Sequence, residues 1–289
     1  MIKVENLYHS YLKNDVYAVK NVSFEVSEGE IFGFLGPSGA GKSTTQNILT
    51  GLLPLQKGSV IVDGFDISKE DKKRFNRIGV SFEQSNLYSK LTAEENLKYY
   101  AKLFDVPTRN PLDLIEMIGL SGKEKQKVGE FSKGMKHRLT FARSLLNNPK
   151  LWFLDEPTTG LDPAIAAGIK EIIKRERDNG ITTFLTTHNM YIAEELCDRV
   201  AFIIDGEIKL IDSPMKLKLQ YGDKAVAIEF IENEVIKKET LSPIVVRDRE
   251  RLNEIILKNE IITMHTKEAT LEEIFIKVTG KGLTANENI

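Results

Sequence analysis

Eight consecutive residues, Gly36-Pro37-Ser38-Gly39-Ala40-Gly41-Lys42-Ser43, set two glycines, a lysine and a hydroxyl at the spacing of a P-loop. The chemistry of such a run is phosphate binding. Glycines let the backbone curl so that successive N–H groups point inward at phosphate oxygens, and a helix beginning near Lys42 adds the positive end of its dipole. Lys42 is expected to reach the terminal phosphates. Ser43 offers a hydroxyl to Mg²⁺, a cation that prefers hard oxygens and is completed by phosphates and water. A second constellation closes the apolar run Leu151-Trp152-Phe153-Leu154 with two carboxylates, Asp155 and Glu156. Asp155 is placed to hold the Mg²⁺ shell through water, and Glu156 to orient or deprotonate the water that attacks a γ-phosphate. A glycine-rich turn is the lesser reading of the octet, and the carboxylates taken alone read equally as a solvated strand end. Together, on a strand–loop–helix pattern, they argue for a nucleotide site.

Rigid elements must hold these groups. Val22 to Val26 alternates as a half-buried strand, and Glu30 to Leu35 is an apolar run ending at Gly36. Thr182 to Leu185 is a further apolar strand, leading to His188. From Ser85 to about Leu146 the pattern is helical. Thr92-Ala93-Glu94-Glu95 is a capping box, with Leu97, Tyr100, Ala101 and Phe104 on one face, and Ser132 suits the N-cap of a helix through Leu139, Ala142 and Leu146. One domain is expected over 1–218 and a small α+β annex over 219–289, with strand-like Ala225 to Phe230, Ile244 to Arg247 and Ile261 to His265 between polar helical stretches. Its end, Thr270 to Val278, joins a capping box to an apolar stripe at Leu271, Ile274, Phe275 and Val278, which core packing alone would explain.

With 41% apolar and 28% charged residues among 289, the chain can bury a sizeable core, and a net charge of -2 argues against broad electrostatic binding to nucleic acid. Cys197, the single cysteine, excludes an intrachain disulfide and fits a reducing compartment as a small buried hydrophobe. The longest apolar stretches, such as Leu151 to Leu154 and Val200 to Ile204, are strand-sized, whereas a bilayer span needs roughly 20 residues. Met1 to Glu5 shows no secretory pattern, so cytoplasmic residence is expected. His9, His137 and His265 lack ligand-like spacing and are read as structural or solvated.

Over roughly its first 215 residues the chain resembles an ABC-type ATPase, with six motifs in family order. Beside the two runs above, Gln84 in Ser81-Phe82-Glu83-Gln84-Ser85 resembles the Q-loop, which implies sensing of Mg²⁺ and a link to a membrane subunit. Phe131-Ser132-Lys133-Gly134-Met135 resembles the signature Leu-Ser-Gly-Gly-Gln: Ser132 and Gly134 match and are implied to touch the γ-phosphate across a dimer, while the other three positions depart. Gly160-Leu161-Asp162 resembles the D-loop that crosses to the other subunit, and His188 in Thr186-Thr187-His188-Asn189 the switch histidine. Aligning Val4-Glu5-Asn6-Leu7 and Ala18-Val19 with the family's opening puts Tyr11, favoured over Tyr17, where an aromatic ring stacks on adenine. The resemblance implies ATP held by Tyr11, residues Gly36 to Thr44, Gln84, Ser132, Gly134 and Asp162, Mg²⁺ held by Ser43, Gln84 and Asp155, and catalysis by Lys42, Glu156 and His188.

The implied fold is α/β, a P-loop NTPase of ABC type: a mixed core sheet with helices, a helical subdomain over about 85–146 that docks on membrane subunits, and the annex. Two copies, identical or not, would sandwich ATP head to tail beneath integral membrane permease subunits, on the inner face of the membrane, with no nucleic-acid partner. The closing Leu271-Glu272-Glu273-Ile274-Phe275 resembles ATPases of the ABC-2 group, which implies export. A soluble ABC-type ATPase of DNA repair or translation is the alternative, but those relatives carry long coiled-coil insertions or two ATPase domains. A P-loop kinase or GTPase has no need of Ser132, Gly134 or His188.

Overall fold

The computed structural model describes residues 1–12, 16–222 and 225–280. The chain divides into two compact units that meet in sequence between Asp212 and Ser213. The first unit runs β1 (Ile2–His9), β2 (Val19–Val26), β3 (Ile31–Leu35), α1 (Lys42–Thr50), β4 (Lys57–Val62), β5 (Phe65–Asp66), β6 (Ile78–Ser81), α2 (Ala93–Ala101), α3 (Pro111–Met117), α4 (Lys133–Arg143), β7 (Leu151–Asp155), α5 (Pro163–Asp178), β8 (Thr182–Thr187), α6 (Met190–Leu196), β9 (Arg199–Ile204) and β10 (Glu207–Asp212). Two sheets form, each dictated by its strands' patterning. β1 and β2 alternate between buried and exposed positions, as suits a sheet covered on one face, and join an antiparallel sheet ordered β2-β1-β4-β5. β3 and β8 are buried throughout and β7 in its first four residues, as a parallel strand covered on both faces must be. They lie inside the second sheet, ordered β10-β9-β3-β8-β7-β6, in which only β10 runs antiparallel to its neighbour. The sheets meet through aromatic rings: Phe24 of β2 stacks on Phe32 of β3 at 5.5 Å and on Phe184 of β8 at 5.9 Å.

The segment between β6 and β7 is helical, as its caps predict. Thr92 and Glu95 form a capping box at α2, and Ser132 Oγ accepts from the Met135 N–H at the start of α4. Both helices end sooner than the apolar spacing suggests, because α2 stops at Ala101, before Phe104, and α4 at Arg143, before Leu146. Arg143 is buried. It donates to the Asn86 carbonyl at 3.0 Å and side chain at 2.6 Å and lies 4.5 Å over the Tyr100 ring, an arrangement that ends the helix in a polar knot. Just before α3, Arg109 grips Glu176 of α5 with two bonds of 2.8 and 2.6 Å.

The second unit comprises α7 (Pro214–Tyr221), β11 (Ala225–Glu232), β12 (Val235–Leu241), α8 (Val246–Lys258), β13 (Glu260–Lys267) and α9 (Leu271–Thr279). Its antiparallel sheet, ordered β12-β11-β13, packs Ile228, Phe230 and Leu241 against Ile255 of α8. α7 packs on α9 and so belongs here, although the boundary read at 218 cuts through it. Two sequence readings are overturned. Ile244 to Arg247, read as a strand, leads into α8, because Leu252 and Ile255 at helical spacing have a sheet to cover while Ile244, Val245 and Val246 stay exposed. β12, read as polar helix, pairs with β11 because Asn233 and Glu234, both at positive φ (53° and 65°), make the tight turn of a two-residue hairpin. Lys238 then pairs across the strands with Glu229 at 2.7 Å. Among the described residues, no helix is long and apolar enough to cross a membrane.

Candidate functional site

β3 ends in the middle of the parallel sheet, and the loop after it is pressed so close to its neighbours that glycine is required. A Cβ on Gly36 would stand 2.2 Å from the Ile203 carbonyl oxygen, and one on Gly41 (φ +105°) 2.5 Å from that of Ala18. Helix α1 starts at once with Lys42, whose Nζ donates to the carbonyls of Gly36 (2.7 Å) and Pro37 (2.9 Å), while the Ala40 N–H closes the turn onto Pro37. Burial pushes the Lys42 ammonium below the usual lysine range, against the pull of Glu156, Asp155 and Glu83. The loop floors a cleft of about 450 Å³ that Ser38, Gly39, Ser43 and Thr44 also line. Tyr11 stands at its edge, its hydroxyl 3.0 Å from Thr44 Oγ1, whereas Tyr17 packs edge-on against Tyr8 and is not among the lining residues.

The opposite wall comes from the C-terminal ends of β7 and β8, where an open α/β sheet presents its functional groups. Asp155 accepts from the Thr186 hydroxyl, and burial raises its carboxyl above the usual range. Glu156 takes a left-handed backbone (φ +48°), uncommon for a residue with a side chain, and is only 8% exposed. Its Oε1 accepts from the His188 backbone N–H at 2.9 Å and faces His188 Nδ1 at 2.6 Å; its Oε2 accepts from Thr187 Oγ1 at 2.9 Å and Thr159 Oγ1 at 3.0 Å. A carboxylate so close to Nδ1 selects the tautomer protonated there and leaves Nε2 for the cleft. The sequence pattern assigns these threonines no role: Thr186 and Thr187 meet the carboxylates only because the ends of β7 and β8 are adjacent, and Thr159 because the chain turns back on Glu156.

A second cleft of about 410 Å³ lies between Glu83, Gln84 and Ser85 after β6, Lys133, Gly134, Lys136 and His137 of α4, and Thr159 and Gly160 after Glu156. Gln84, read as a metal and nucleotide ligand, lines this cleft, while its neighbour Glu83 lines both. Of the remaining nucleotide candidates, Ser132 caps α4, Gly134 lines only the second cleft, and Asp162 sits at the N-cap position of α5. A single chain therefore gathers Tyr11, Ser38, Gly39, Gly41, Lys42, Ser43, Thr44, Asp155, Glu156 and His188 around one cleft; Gly36, Pro37 and Ala40 shape the loop without lining it, and Ser132, Gly134 and Asp162 lie outside. Ser43 and Asp155 give the first cleft one hydroxyl and one carboxylate, an incomplete set of hard oxygens that suits Mg²⁺ shared with phosphate and water.

Fold and site define a P-loop nucleotide-binding protein of the α/β class, with an antiparallel sheet packed on a largely parallel one. A family model described as ABC transporter matches residues 19–159. The fluoroquinolones export ATP-binding protein of Mycobacterium tuberculosis is 44% identical over 290 residues, covering 98% of this chain and 95% of that protein. The linearmycin resistance ATP-binding protein of Bacillus subtilis is 36% identical over 230 residues, covering 78% and 73%. Among solved structures, a dimeric post-hydrolysis state of an ATP-binding cassette bound to ADP and Pi is similar with a TM-score of 0.68 at 30% identity, over 74% of this chain and 98% of that one. The chain belongs to the ABC transporter family, as an ATP-binding subunit.

Proposed function

We propose that this subunit hydrolyses ATP as one half of a head-to-tail dimer, identical or not, and that closure and reopening of the dimer drive export through separate membrane permease subunits. The observation that carries the proposal is the division of the site: the P-loop, Asp155, Glu156 and His188 share one cleft, while Ser132 and Gly134 lie outside it, where a second copy's nucleotide could be met. The dimeric ADP- and Pi-bound relative and the export role in the name of the Mycobacterium protein support it. The soluble DNA-repair or translation reading has no such support.

In this reading the P-loop amides and Lys42 bind the β- and γ-phosphates, and Tyr11 stacks on adenine. Ser43 and Asp155 would hold Mg²⁺, with Gln84 reaching it from the second cleft, and the cation would neutralise charge on the transferring phosphoryl group. Glu156, aimed by Thr159, Thr187 and His188, orients the attacking water, and His188, held by Glu156 at Nδ1, turns its Nε2 edge toward the γ-phosphate. Ser132, Gly134 and Asp162 complete the pocket of the partner copy. The subunit then works peripherally on the cytoplasmic face of the membrane. Glu156→Gln tests the proposal: the variant should bind ATP, lose turnover and elute as a dimer in gel filtration with ATP. A variant that stays monomeric, or that still turns over ATP, defeats it.

A further inference from the structure

His137 is the one residue of the second cleft whose burial the mechanism leaves unexplained. It lies one turn into α4 and is 6% exposed, yet both ring nitrogens are buried without a hydrogen-bond partner among the described residues. An imidazole always carries at least one N–H, and a buried donor left unmade costs free energy that a leucine of similar volume would not. A buried unsatisfied group calls for an explanation, and a partner met in another arrangement of the same parts supplies one.

Burial pushes the ring's pKa below the usual histidine range; the Glu83 carboxylate and the Glu156 backbone carbonyl favour its protonated form, and Lys133 on its own helix opposes it. The Glu156 main chain is near enough to act on the ring, yet no hydrogen bond joins the two. Glu156 also takes a left-handed conformation, and its carboxylate is already held by four contacts from His188, Thr187 and Thr159. Its main chain is bonded too, the N–H to the Thr186 carbonyl at 3.0 Å and the carbonyl from the Thr159 N–H at 3.2 Å, which leaves the carbonyl oxygen one lone pair for a second donor; Thr159 shares the cleft wall with His137.

We infer that His137 is a positioning residue for hydrolysis: a small shift of α4 toward the 156–160 loop lets its ring N–H bond the Glu156 carbonyl, holding the strained turn that aims the carboxylate. The signature helix thereby reports its own position to the catalytic group through one hydrogen bond. The inference rests on Glu156 acting as proposed above.

The test compares His137→Leu, which keeps the volume and removes the donor, with His137→Gln, which keeps a donor, in the full chain. Turnover, KM and thermal stability are measured with ATP and Mg²⁺, and affinity with a fluorescent ATP analogue. The leucine variant should lose at least about tenfold in kcat, since small misplacement of a catalytic group is costly, with KM, affinity and Tm unchanged or Tm raised. The glutamine variant should stay within about threefold of wild type. Wild-type kcat in His137→Leu overturns the inference, as does equal loss in both variants or a parallel fall of kcat and Tm. If wild type and Glu156→Gln turn over ATP equally, the proposed function has failed instead.

Discussion

Lys42 and Asp155 show at the residue scale how a binding site works against the stability of its own fold. Lys42 is buried with only carbonyl partners in the P-loop, so its ammonium is poised for a stronger acceptor. Replacing it with alanine removes charge-assisted bonds to phosphate and should weaken ATP binding by about 1.5–3 kcal/mol, on the order of tenfold to a hundredfold, read by equilibrium titration with a fluorescent analogue. Asp155 is a desolvated carboxylate beside Glu156, and burial raises its pKa above the ordinary 3.8. The folded state thus holds this proton more tightly than the unfolded chain does. Its contribution to stability is complete below pH 3.8 and is lost as the pH rises through the elevated value, leaving a net cost at neutral pH. Asp155→Asn, which can still accept from Thr186, should melt higher at pH 7 by about 2–4 °C for each 1 kcal/mol relieved, while losing Mg²⁺-dependent turnover. The gap in Tm should close as the pH is lowered toward 3.8; a variant less stable than wild type at pH 7 would show that burial is not the dominant influence.

The elements are pinned by a few buried polar contacts whose loss should be felt locally. Arg109 and Glu176 tie the entry to α3 onto α5, and the Glu176 side chain retains only 3% of its exposure. Truncating Arg109 to alanine strands that carboxylate. A loss of about 3–5 kcal/mol is expected, since the remaining charge is buried without compensation, and urea unfolding measures it. α9 is started by the reciprocal Thr270–Glu273 capping box and buries Leu271, Ile274 and Phe275. Thr270→Ala should cost about 1 kcal/mol, far less than a core truncation at Phe275, which should cost about 3–5 kcal/mol. Cys197, buried at the end of α6, has its thiol pKa driven up by burial with Asp198 and Glu30 adding to it, and should resist maleimide until the chain unfolds.

Across the whole molecule, each unit carries its own apolar core, and every residue lining the nucleotide cleft lies before Asp212. A chain ending at Asp212 should therefore bind ATP with an affinity within about threefold of the full chain, since no nucleotide contact is removed. Loss of binding in a well-folded truncation would assign the second unit a share of the site. The two units also differ in how locally they are encoded. The first is built from buried strands and glycine-dependent close approaches, and the second from an exposed hairpin, two edge strands and helices with wide polar faces.

The residues by themselves determined the P-loop, the carboxylates at the end of β7, the caps of α2, α4 and α9 and the family that these define. Each is a local pattern whose physics acts within a few residues: a glycine for a close turn, a hydroxyl at an N-cap, an apolar run for a covered strand. Tertiary structure alone decided that Thr186 would bond Asp155 and that Thr187 and His188 would converge on Glu156, because neighbouring parallel strands meet only after distant segments align. It also placed Glu83 rather than Gln84 at the first cleft, and set His137, which spacing made unremarkable, in a buried position facing the Glu156 main chain. In the second unit it made β12 a strand and Val246 to Lys258 a helix, since polar residues on an edge strand look like an exposed helix until their pairing partner is known. Local chemistry needs only its neighbours in sequence, whereas pairing, burial and the facing of one side chain by another depend on where the rest of the chain has folded.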